Sequence, residues 1–285
     1  KVFIGTVTTG ACLSVVSQTK ADNMFQITPS ASAAKVIAND NCFQVCFTDP
    51  NQGTASADYI ASKGLATKVA VIYNSSDAYS SGIYDNFKAE AAAKGLDLVA
   101  SEAFTGDSKQ DFSSQLSKIK ASGAELIFLP IYYQEASLIL SQAKNAGITA
   151  KFFGCDGLDG LLNIENFDKS LAENVMLLTP FAANATDETT KKFVAAYNAK
   201  YDPSTLNQFA ADAYDAVYIV KAAAEKAGVT GDMSVSDICN ALKGAMTEIT
   251  VDGVTGSGMT WKATGEVNKE PKAVKIENGE YQPMD

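Results

Sequence analysis

Short apolar runs recur along the chain at the spacing of a strand–helix repeat. From the fourth run onward they begin at residues 69, 96, 126, 152 and 175, and the segments between them carry apolar residues at helical spacing. The predicted strands are Val2–Gly5, Phe25–Thr28, Phe43–Phe47, Val69–Tyr73, Leu96–Val99, Leu126–Leu129, Phe152–Gly154 and Val175–Leu178. Their continuous apolar character is typical of strands that helices cover on both faces. The pattern therefore predicts an α/β fold with parallel sheets and right-handed crossovers.

The alternation of predicted strands and helices ends at about residue 180, after which helical patterns dominate. Helices are predicted over residues 187–200, 209–227 and 235–245, and short strands over Met259–Lys262, Lys272–Ile276 and Glu280–Gln282. Asn278–Gly279 has the composition of a hairpin turn before the last of these strands. Thr186 is the predicted N-cap of the first helix, and Asp111 that of an earlier one.

Length and charge narrow the class of protein. The 285 residues suit two domains, and no apolar run approaches the ~18 residues of a membrane-spanning helix. The net charge of −10 and the pI near 4.6 argue against a surface for nucleic acid, so no nucleic-acid partner is expected.

Two residue types are missing from the sequence. It contains no histidine, and all 23 basic residues are lysine. Histidine-based nucleophile activation, imidazole metal ligands and bidentate arginine contacts to anions are therefore excluded. A bound anion would have to be held by hydroxyls, backbone N–H groups, helix N-termini or lysine. Neither a dinucleotide-binding nor a P-loop motif is present, and we expect no cofactor.

The cysteine spacing predicts buried free thiols. The five cysteines are Cys12, Cys42, Cys46, Cys155 and Cys239, and none forms a CxxC pair. Cys42 and Cys46 lie on one predicted strand, where four residues span ~13 Å, too far for a disulfide. An odd count leaves at least one cysteine without a disulfide partner in the chain.

Several blocks of sequence, in order, carry a resemblance to a known family. They are IGTVTTGACLSVVSQTKADNMFQITPSASAAKVI, VAVIYNSSDAYSSGIYDNFKAEAAAKG, DFSSQLSKIKASGAELIFLPIYYQEASLILSQAKNAGI, FFGCDGLDG, FAADAYDAVY and VDGVTGSGMTW. Together they resemble the type I extracellular substrate-binding proteins of ABC importers, especially those similar to leucine/isoleucine/valine-binding proteins. The resemblance covers essentially the whole chain, and the order of the blocks makes it specific.

The resemblance implies two doubly wound parallel-sheet lobes that close on a ligand by hinge rotation, a Venus flytrap. Lobe 1 would comprise residues 1–49 and 181–254, and lobe 2 residues 50–180 and 255–285. Family members begin with two further strand–helix units, about 60–70 residues. We therefore expect lobe 1 to be incomplete at its N-terminus, and a homodimer or swapped assembly to complete it.

The resemblance also implies ligand-binding residues in lobe 1. Thr9 matches the hydroxyl that binds the ligand carboxylate, and Ser30, Ala31 and Ser32 match positions that hold its amino and carboxyl groups. Phe209 matches an aromatic residue that lines the pocket. Without the resemblance, Thr9 would belong to an ordinary strand-to-helix turn, residues 30–32 would be ordinary loop residues after a proline, and Phe209 would be a core residue.

Lobe 2 is expected to contribute an acid and two aromatic rings. Asp156 matches the acidic residue that receives the ligand ammonium, with an Asp-Gly turn as the alternative interpretation. A metal site formed by Asp156 and Asp159 is disfavoured because further oxygen ligands are missing, so no metal is expected. Tyr79 and Tyr132 match aromatic positions that line the pocket.

These expectations define a function. The chain would be the non-enzymatic binding component of an ABC importer that captures a small zwitterionic amino acid, aliphatic or branched, in the interlobe cleft. It would act on the extracellular side of the membrane, in the periplasm or anchored to the cell surface as a lipoprotein, and deliver its ligand to a membrane permease. The alternatives are a sensory ectodomain of the same fold and, less favoured, a doubly wound α/β enzyme.

Overall fold

The computed structural model describes residues 1–284, and the chain divides into two compact units. Unit 1 contains Lys1–Thr48, Thr186–Ala199 and Leu206–Glu270. Unit 2 contains Asp49–Ala185, Lys200–Thr205 and the chain from Pro271 onward. No helix within residues 1–284 is both long and apolar enough to cross a membrane.

Strands and helices alternate along most of the chain. The strands are β1 (Val2–Ile4), β2 (Phe25–Thr28), β3 (Cys42–Gln44), β4 (Lys68–Asn74), β5 (Asp97–Phe104), β6 (Leu126–Leu129), β7 (Lys151–Gly154), β8 (Met176–Thr179), β9 (Lys272–Glu277) and β10 (Glu280–Pro283). The α-helices are α1 (Thr9–Leu13), α2 (Val16–Ala21), α3 (Asp49–Ser62), α4 (Ala78–Ala93), α5 (Ser113–Ser122), α6 (Tyr133–Asn145), α7 (Glu188–Asn198), α8 (Gln208–Ala227) and α9 (Val235–Met246).

Unit 1 is built on a parallel sheet of three strands in the order β1-β2-β3. Phe25 of β2 stacks on Phe43 of β3 with ring centroids 5.4 Å apart, and both rings are buried. Ile219 of α8 and Leu242 of α9 belong to the same apolar core. These two helices therefore cover the face of the sheet that carries Phe25 and Phe43.

The sequence-based boundaries differ from the two compact units of the structure. We placed Asp49 and residues 181–185 and 200–205 in lobe 1, but they belong to unit 2. We placed residues 255–270 in lobe 2, but they belong to unit 1. Trp261, buried in the core of unit 1, donates its indole N–H to the carbonyl oxygen of Gln44 at 2.7 Å, and the backbone N–H of Gln44 donates to Gly265. These bonds attach the segment to the end of β3. The composition of the glycine-rich turn before Met259 carried no information about this pairing.

Unit 2 contains a seven-stranded sheet in the order β10-β9-β8-β7-β6-β4-β5. Its strands are parallel from β8 to β5, whereas β9 runs antiparallel to β8 and β10 antiparallel to β9. Two apolar clusters include alternate residues of β4, with Ala70 and Ile72 in one and Val69 and Val71 in the other. Both faces of β4 are thus covered, which explains its unbroken apolar sequence.

Helix ends were predicted less accurately than helices. Asp187, and not Thr186, caps α7 by accepting the N–H of Thr190 at 2.9 Å. Phe112 is the N-cap residue of α5, and Asp111, one position before it, accepts the N–H of Ser113. The predicted strand Met259–Lys262 is reduced to isolated bridges at Met259 and Trp261.

The outer edge of β1 is open. Within residues 1–284, β1 pairs only with β2, and the nearby side chains of Ile4 and Val7 are about 40% exposed. Such an edge offers unpaired backbone groups to another strand. The homodimer or swapped assembly remains a prediction, which the molar mass from light scattering would test.

Close packing of α3 against α4 depends on Gly53. A Cβ atom at this position would lie 2.5 Å from the carbonyl oxygen of Ile83 and 2.8 Å from the backbone nitrogen of Phe87. Both of these atoms belong to the backbone of α4, so no side-chain rotation can relieve the overlap. The absence of a side chain at Gly53 therefore sets the distance between the two helices.

We expect Gly53→Ala to lower the free energy of unfolding by about 1–3 kcal/mol, because the added methyl group must push α4 away from α3. Gly244→Ala is the matched control, since Gly244 lies in α9 with open space around its Cβ position. That control should be neutral or stabilising, because alanine favours helix. Urea unfolding of both variants measures the difference, and equal stabilities would contradict the packing argument.

Candidate ligand-binding residues

Unit 1 brings four of the predicted residues together in what we call the hydroxyl cluster: Thr9, Ser30, Ala31 and Ser32. Thr9 opens α1 and is 1% exposed. Its hydroxyl oxygen accepts the backbone N–H of Ser32 at 3.2 Å and that of Ala33 at 3.3 Å. The loop after β1 is thus tied to the loop after β2, as expected for neighbouring parallel strands.

The loop of the hydroxyl cluster is held from three sides. Besides the bonds from Thr9, the hydroxyl of Thr28 accepts the N–H of Ala31 at 3.0 Å and donates to the carbonyl of Thr6 at 2.6 Å. The side-chain amide of Gln44 donates to the carbonyl of Ala31 at 2.8 Å. These bonds fix the backbone that presents the hydroxyl cluster.

Two hydroxyl groups of this cluster are available as donors. The Thr9 oxygen already accepts two N–H groups, so its own proton is the part left to bind a ligand. Ser32 is fully buried, and its hydroxyl has no hydrogen-bond partner among residues 1–284. A buried hydroxyl without a partner costs free energy, which a bound acceptor would recover.

Unit 2 brings together Tyr79, Tyr132 and Asp156, which we call the tyrosine–aspartate cluster. Tyr79 lies in the first turn of α4, Tyr132 is the N-cap residue of α6, and Asp156 follows β7. These elements come after β4, β6 and β7, which are adjacent in the sheet. The carboxyl ends of adjacent parallel strands meet at one edge, which explains why residues so distant in sequence are neighbours.

Tyr79 organises this cluster through its hydroxyl group. It donates to Oδ1 of Asp156 at 2.6 Å and accepts the backbone N–H of Gly157 at 2.9 Å. Its ring stacks on that of Tyr132 with centroids 4.7 Å apart. A Cβ atom at Gly157 would lie 2.6 Å from the Tyr79 hydroxyl oxygen, so glycine is required for this approach.

Burial and charge keep both tyrosines protonated. Burial first, and then the charge of Asp156, raise the pKa of Tyr79 well above its ordinary value. Burial also raises the pKa of Tyr132, and the carboxylates of Asp77, Asp156, Asp49 and Glu135 raise it further. The Tyr79 hydroxyl is therefore a permanent hydrogen-bond donor to Asp156. The surrounding carboxylates make this end of unit 2 negative, which favours a cationic group.

Gln52 is a member of this region that the sequence did not reveal. It lies in α3, is fully buried, and accepts the backbone N–H of Asp156 with Oε1 at 3.3 Å. Its Nε2 has no hydrogen-bond partner within the part of the chain that the structure describes. The polar glutamine one residue before Gly53, inside a buried helix face, was the signal available in the sequence.

Phe209 is the predicted residue whose role stays least defined. It is half-buried at the second position of α8, whose N-cap is Asn207. Neither a hydrogen bond nor an aromatic contact joins it to the hydroxyl cluster among residues 1–284. Its place in a ligand site remains a prediction.

The sequence profile of the periplasmic binding protein family matches residues 1–280. The chain belongs to this family. A Leu/Ile/Val-binding protein homolog of Brucella melitensis is 32% identical over 235 residues, which are 81% of this chain and 62% of that protein. The chain thus spans about three-fifths of the length of this relative.

Two solved structures in this family are similar to the whole chain. The leucine binding protein LivK of Thermotoga maritima is 25% identical, with a TM-score of 0.87 over 100% of this chain and 79% of LivK. LivJ of Streptococcus pneumoniae, solved in complex with isoleucine, is 28% identical, with a TM-score of 0.83 over 98% of this chain and 77% of LivJ. The predicted type I periplasmic binding protein fold is confirmed.

The bond between Tyr79 and Asp156 leads to a prediction about stability. We expect Tyr79→Phe to lower the free energy of unfolding by about 1–3 kcal/mol, because a buried carboxylate loses a donor. Tyr73→Phe is a suitable control, since Tyr73 also stacks on a tyrosine in unit 2 but is half-buried. Thermal unfolding of both variants measures the difference. Equal melting temperatures would show that the Tyr79 hydroxyl does not hold Asp156.

Proposed function

We propose that this chain is the solute-binding component of an ABC importer and that it binds a small free amino acid with an aliphatic or branched side chain. The observation that carries the proposal is the opposite polarity of the two clusters. The hydroxyl cluster offers buried donors, whereas the tyrosine–aspartate cluster offers a buried carboxylate. A zwitterionic amino acid has one group that matches each of them.

The ligand carboxylate is assigned to the hydroxyl cluster. The sequence has no arginine, so hydroxyl and backbone donors must bind the anion. Thr9 and Ser32 each have a hydroxyl proton to donate, and the loop that presents them is already fixed by Thr28 and Gln44. A site ordered before binding loses little conformational entropy when the ligand enters.

The ligand ammonium is assigned to Asp156. Its carboxylate is oriented by Tyr79, and the negative charge near Tyr132 adds to the attraction for a cation. The stacked rings of Tyr79 and Tyr132 provide an apolar wall for an aliphatic side chain. The names of the relatives, with leucine for LivK and isoleucine in the LivJ complex, support a branched side chain.

The protein acts by binding and not by catalysis, and it delivers the ligand to a membrane permease from the periplasmic or extracellular side. The family to which the chain belongs consists of binding proteins, and this supports the proposal. Incubation with the ligand should return it chemically unchanged. Any turnover of leucine, isoleucine or valine would contradict this assignment.

Titration calorimetry and thermal unfolding with leucine, isoleucine and valine test the proposal directly. At a ligand concentration 100 times Kd, binding should raise the free energy of unfolding by about 2.7 kcal/mol. Leucinamide, which lacks the carboxylate, and N-acetylleucine, which lacks the ammonium, should bind far more weakly. Binding of either analogue as tight as that of leucine would contradict the assignment of the charged groups.

Asp156→Asn tests the ammonium site. We expect affinity for the amino acid to fall about a hundredfold or more, because the buried charge partner is removed while an oxygen remains to accept from Tyr79. Asp159→Asn is the matched control, since Asp159 is also buried and lies three residues further along the same turn. Unchanged affinity in Asp156→Asn would remove the assignment.

Ser32→Ala tests the carboxylate site and separates binding from folding. Because the Ser32 hydroxyl has no partner within residues 1–284, its removal should leave the free energy of unfolding of the ligand-free protein unchanged or slightly higher. Affinity for the amino acid should fall about tenfold, which corresponds to about 1.4 kcal/mol. A loss of ligand-free stability with unchanged affinity would show a structural role instead.

A further inference from the structure

An exposed aromatic surface lies on α8 in unit 1. Within residues 1–284, six large apolar or aromatic side chains are well exposed, and three of them, Tyr214, Val217 and Tyr218, lie on one face of this helix. Tyr214 is 40% exposed and Tyr218 is 48% exposed. Exposed residues of this kind are normally scattered singly, so a group of three on one helix face indicates a binding surface.

Contacts with other rings hold the two tyrosines in place. The ring centroids of Tyr214 and Tyr218 are 4.7 Å apart, and the ring planes make an angle of 40°. The buried ring of Phe193 on α7 lies 4.9 Å from that of Tyr214. Tyr214 therefore contacts a buried ring as well as Tyr218, which restricts the rotation of its side chain. The pair presents ring surface to solvent in a defined orientation.

Tyr214 and Tyr218 line a cleft of about 390 Å³. Residues 250–254 also line this cleft, together with Thr189 in the first turn of α7. All of these residues belong to unit 1. The volume lies within the range of about 300–1,000 Å³ that is typical of sites for small molecules.

Carboxylates outnumber amines around this cleft. Asp215, Asp252 and Glu225 line it, whereas Lys221 is the one lysine on its walls within residues 1–284. Lys221 and Glu225 form an exposed ion pair on α8, with charged atoms 3.6 Å apart. This pair is neutral as a whole, so Asp215 and Asp252 give the cleft a net negative charge.

The carboxylate of Asp215 is fixed by neutral donors. Its Oδ1 accepts the N–H of Val254 at 2.8 Å, and its Oδ2 accepts the N–H and the hydroxyl of Thr255 at 2.8 and 2.6 Å. Buried Lys269 donates to the Thr255 hydroxyl oxygen at 2.6 Å and lies 3.5 Å from the carboxylate of Asp212. The charge of Lys269 is thus balanced by Asp212, and Asp215 contributes negative charge while its oxygens already accept hydrogen bonds.

Asp252 is similarly engaged. Its Oδ1 accepts the hydroxyl of Ser257 and the N–H of Gly258, each at 2.7 Å. The bond from Ser257 first, and then that from Gly258, lower the pKa of Asp252, so its carboxylate is charged at neutral pH. The cleft therefore combines aromatic faces with negative charge whose oxygens are largely occupied by donors of the protein.

This combination favours one class of cation. A primary ammonium group is strongly hydrated, and its three N–H donors require acceptors when water is removed. A quaternary ammonium group has no N–H donor, and it is attracted by aromatic faces and by nearby negative charge. A cleft whose carboxylates already accept hydrogen bonds therefore suits the quaternary group better than the primary one.

We propose that this cleft binds a small organic cation that carries a quaternary ammonium group. The rings of Tyr214 and Tyr218 contact its methyl groups, while Asp215 and Asp252 supply the negative charge. The cleft shares no residue with the hydroxyl cluster or the tyrosine–aspartate cluster. The inference therefore does not rest on amino-acid binding.

A titration with choline chloride, followed by saturation-transfer NMR, tests the proposal. We expect saturable binding in the millimolar range. The neutral isostere of choline, in which a carbon atom replaces the nitrogen, and ethanolamine, which has a primary ammonium, should each bind at least about fivefold more weakly. Equal binding of either compound, or no saturable binding of choline, would overturn the proposal. Displacement of choline by leucine would also overturn it, because choline would then occupy the amino-acid site.

Tyrosine variants test the role of the rings. Tyr218→Ala should weaken choline binding about fivefold, whereas Tyr218→Phe should stay within about twofold of the unmodified protein because the ring is kept. Tyr201→Ala is the matched control, since Tyr201 is 60% exposed but lies in unit 2. Unchanged affinity in Tyr218→Ala, or an equal loss in Tyr201→Ala, would contradict the assignment.

The unmodified protein decides the question if a variant fails to fold. Choline should then shift the assigned ring resonances of Tyr214 and Tyr218 and leave those of Tyr79 and Tyr132 unchanged. Shifts confined to Tyr79 and Tyr132 would place choline in the tyrosine–aspartate cluster and overturn the proposal.

Discussion

A carboxylate removed from water needs hydrogen-bond donors or a counter-charge, and this requirement organises the end of unit 2 where Asp156 lies. Tyr79 meets part of it with a bond of 2.6 Å, and this bond fixes the position of its ring. The ring in turn stacks on Tyr132, and the hydroxyl oxygen accepts the N–H of Gly157. One contact thus couples the acid to the Tyr79 ring of the aromatic wall, so a change at Tyr79 alters both.

In unit 1, the polar contacts of the hydroxyl cluster are made by neutral groups. Its loop after β2 is fixed by hydroxyl and amide side chains, and the Ser32 hydroxyl is left without a partner within residues 1–284. In a chain without arginine, neutral donors are a consistent way to bind an anion. The electrostatic contrast between the two clusters then arises from the carboxylate of Asp156.

The sequence predicted the strands well because parallel strands buried on both faces leave long apolar runs, as in β4 and β6. Family resemblance singled out Asp156, Tyr79 and Tyr132, and the structure places them after adjacent strands and brings them together. That they bind a ligand stays a prediction. Apolar periodicity could not reveal Gln52, because its contact with Asp156 joins residues more than 100 positions apart.

The boundary near residue 255 was misplaced for a comparable reason. The bond from Trp261 to Gln44 joins residues 217 positions apart, and nothing in the local composition indicates it. The predicted N-cap of α7 was wrong by one residue, since neighbouring polar residues such as Thr186 and Asp187 have similar preferences for the N-cap position. Contacts between residues far apart in the sequence, and neighbouring residues with similar N-cap preferences, thus limit prediction from the sequence in two separate ways.

The tight fit at Gly157 has a consequence for changing ligand preference by design. Any side chain at this position would displace the Tyr79 hydroxyl, and the tilt of the stacked rings would change with it. A library that varies residue 157 would therefore alter the shape of the aromatic wall and the orientation of the acid at once. Variation at Tyr132, whose ring is not anchored through Gly157, offers a way to reshape the wall while the acid keeps its orientation.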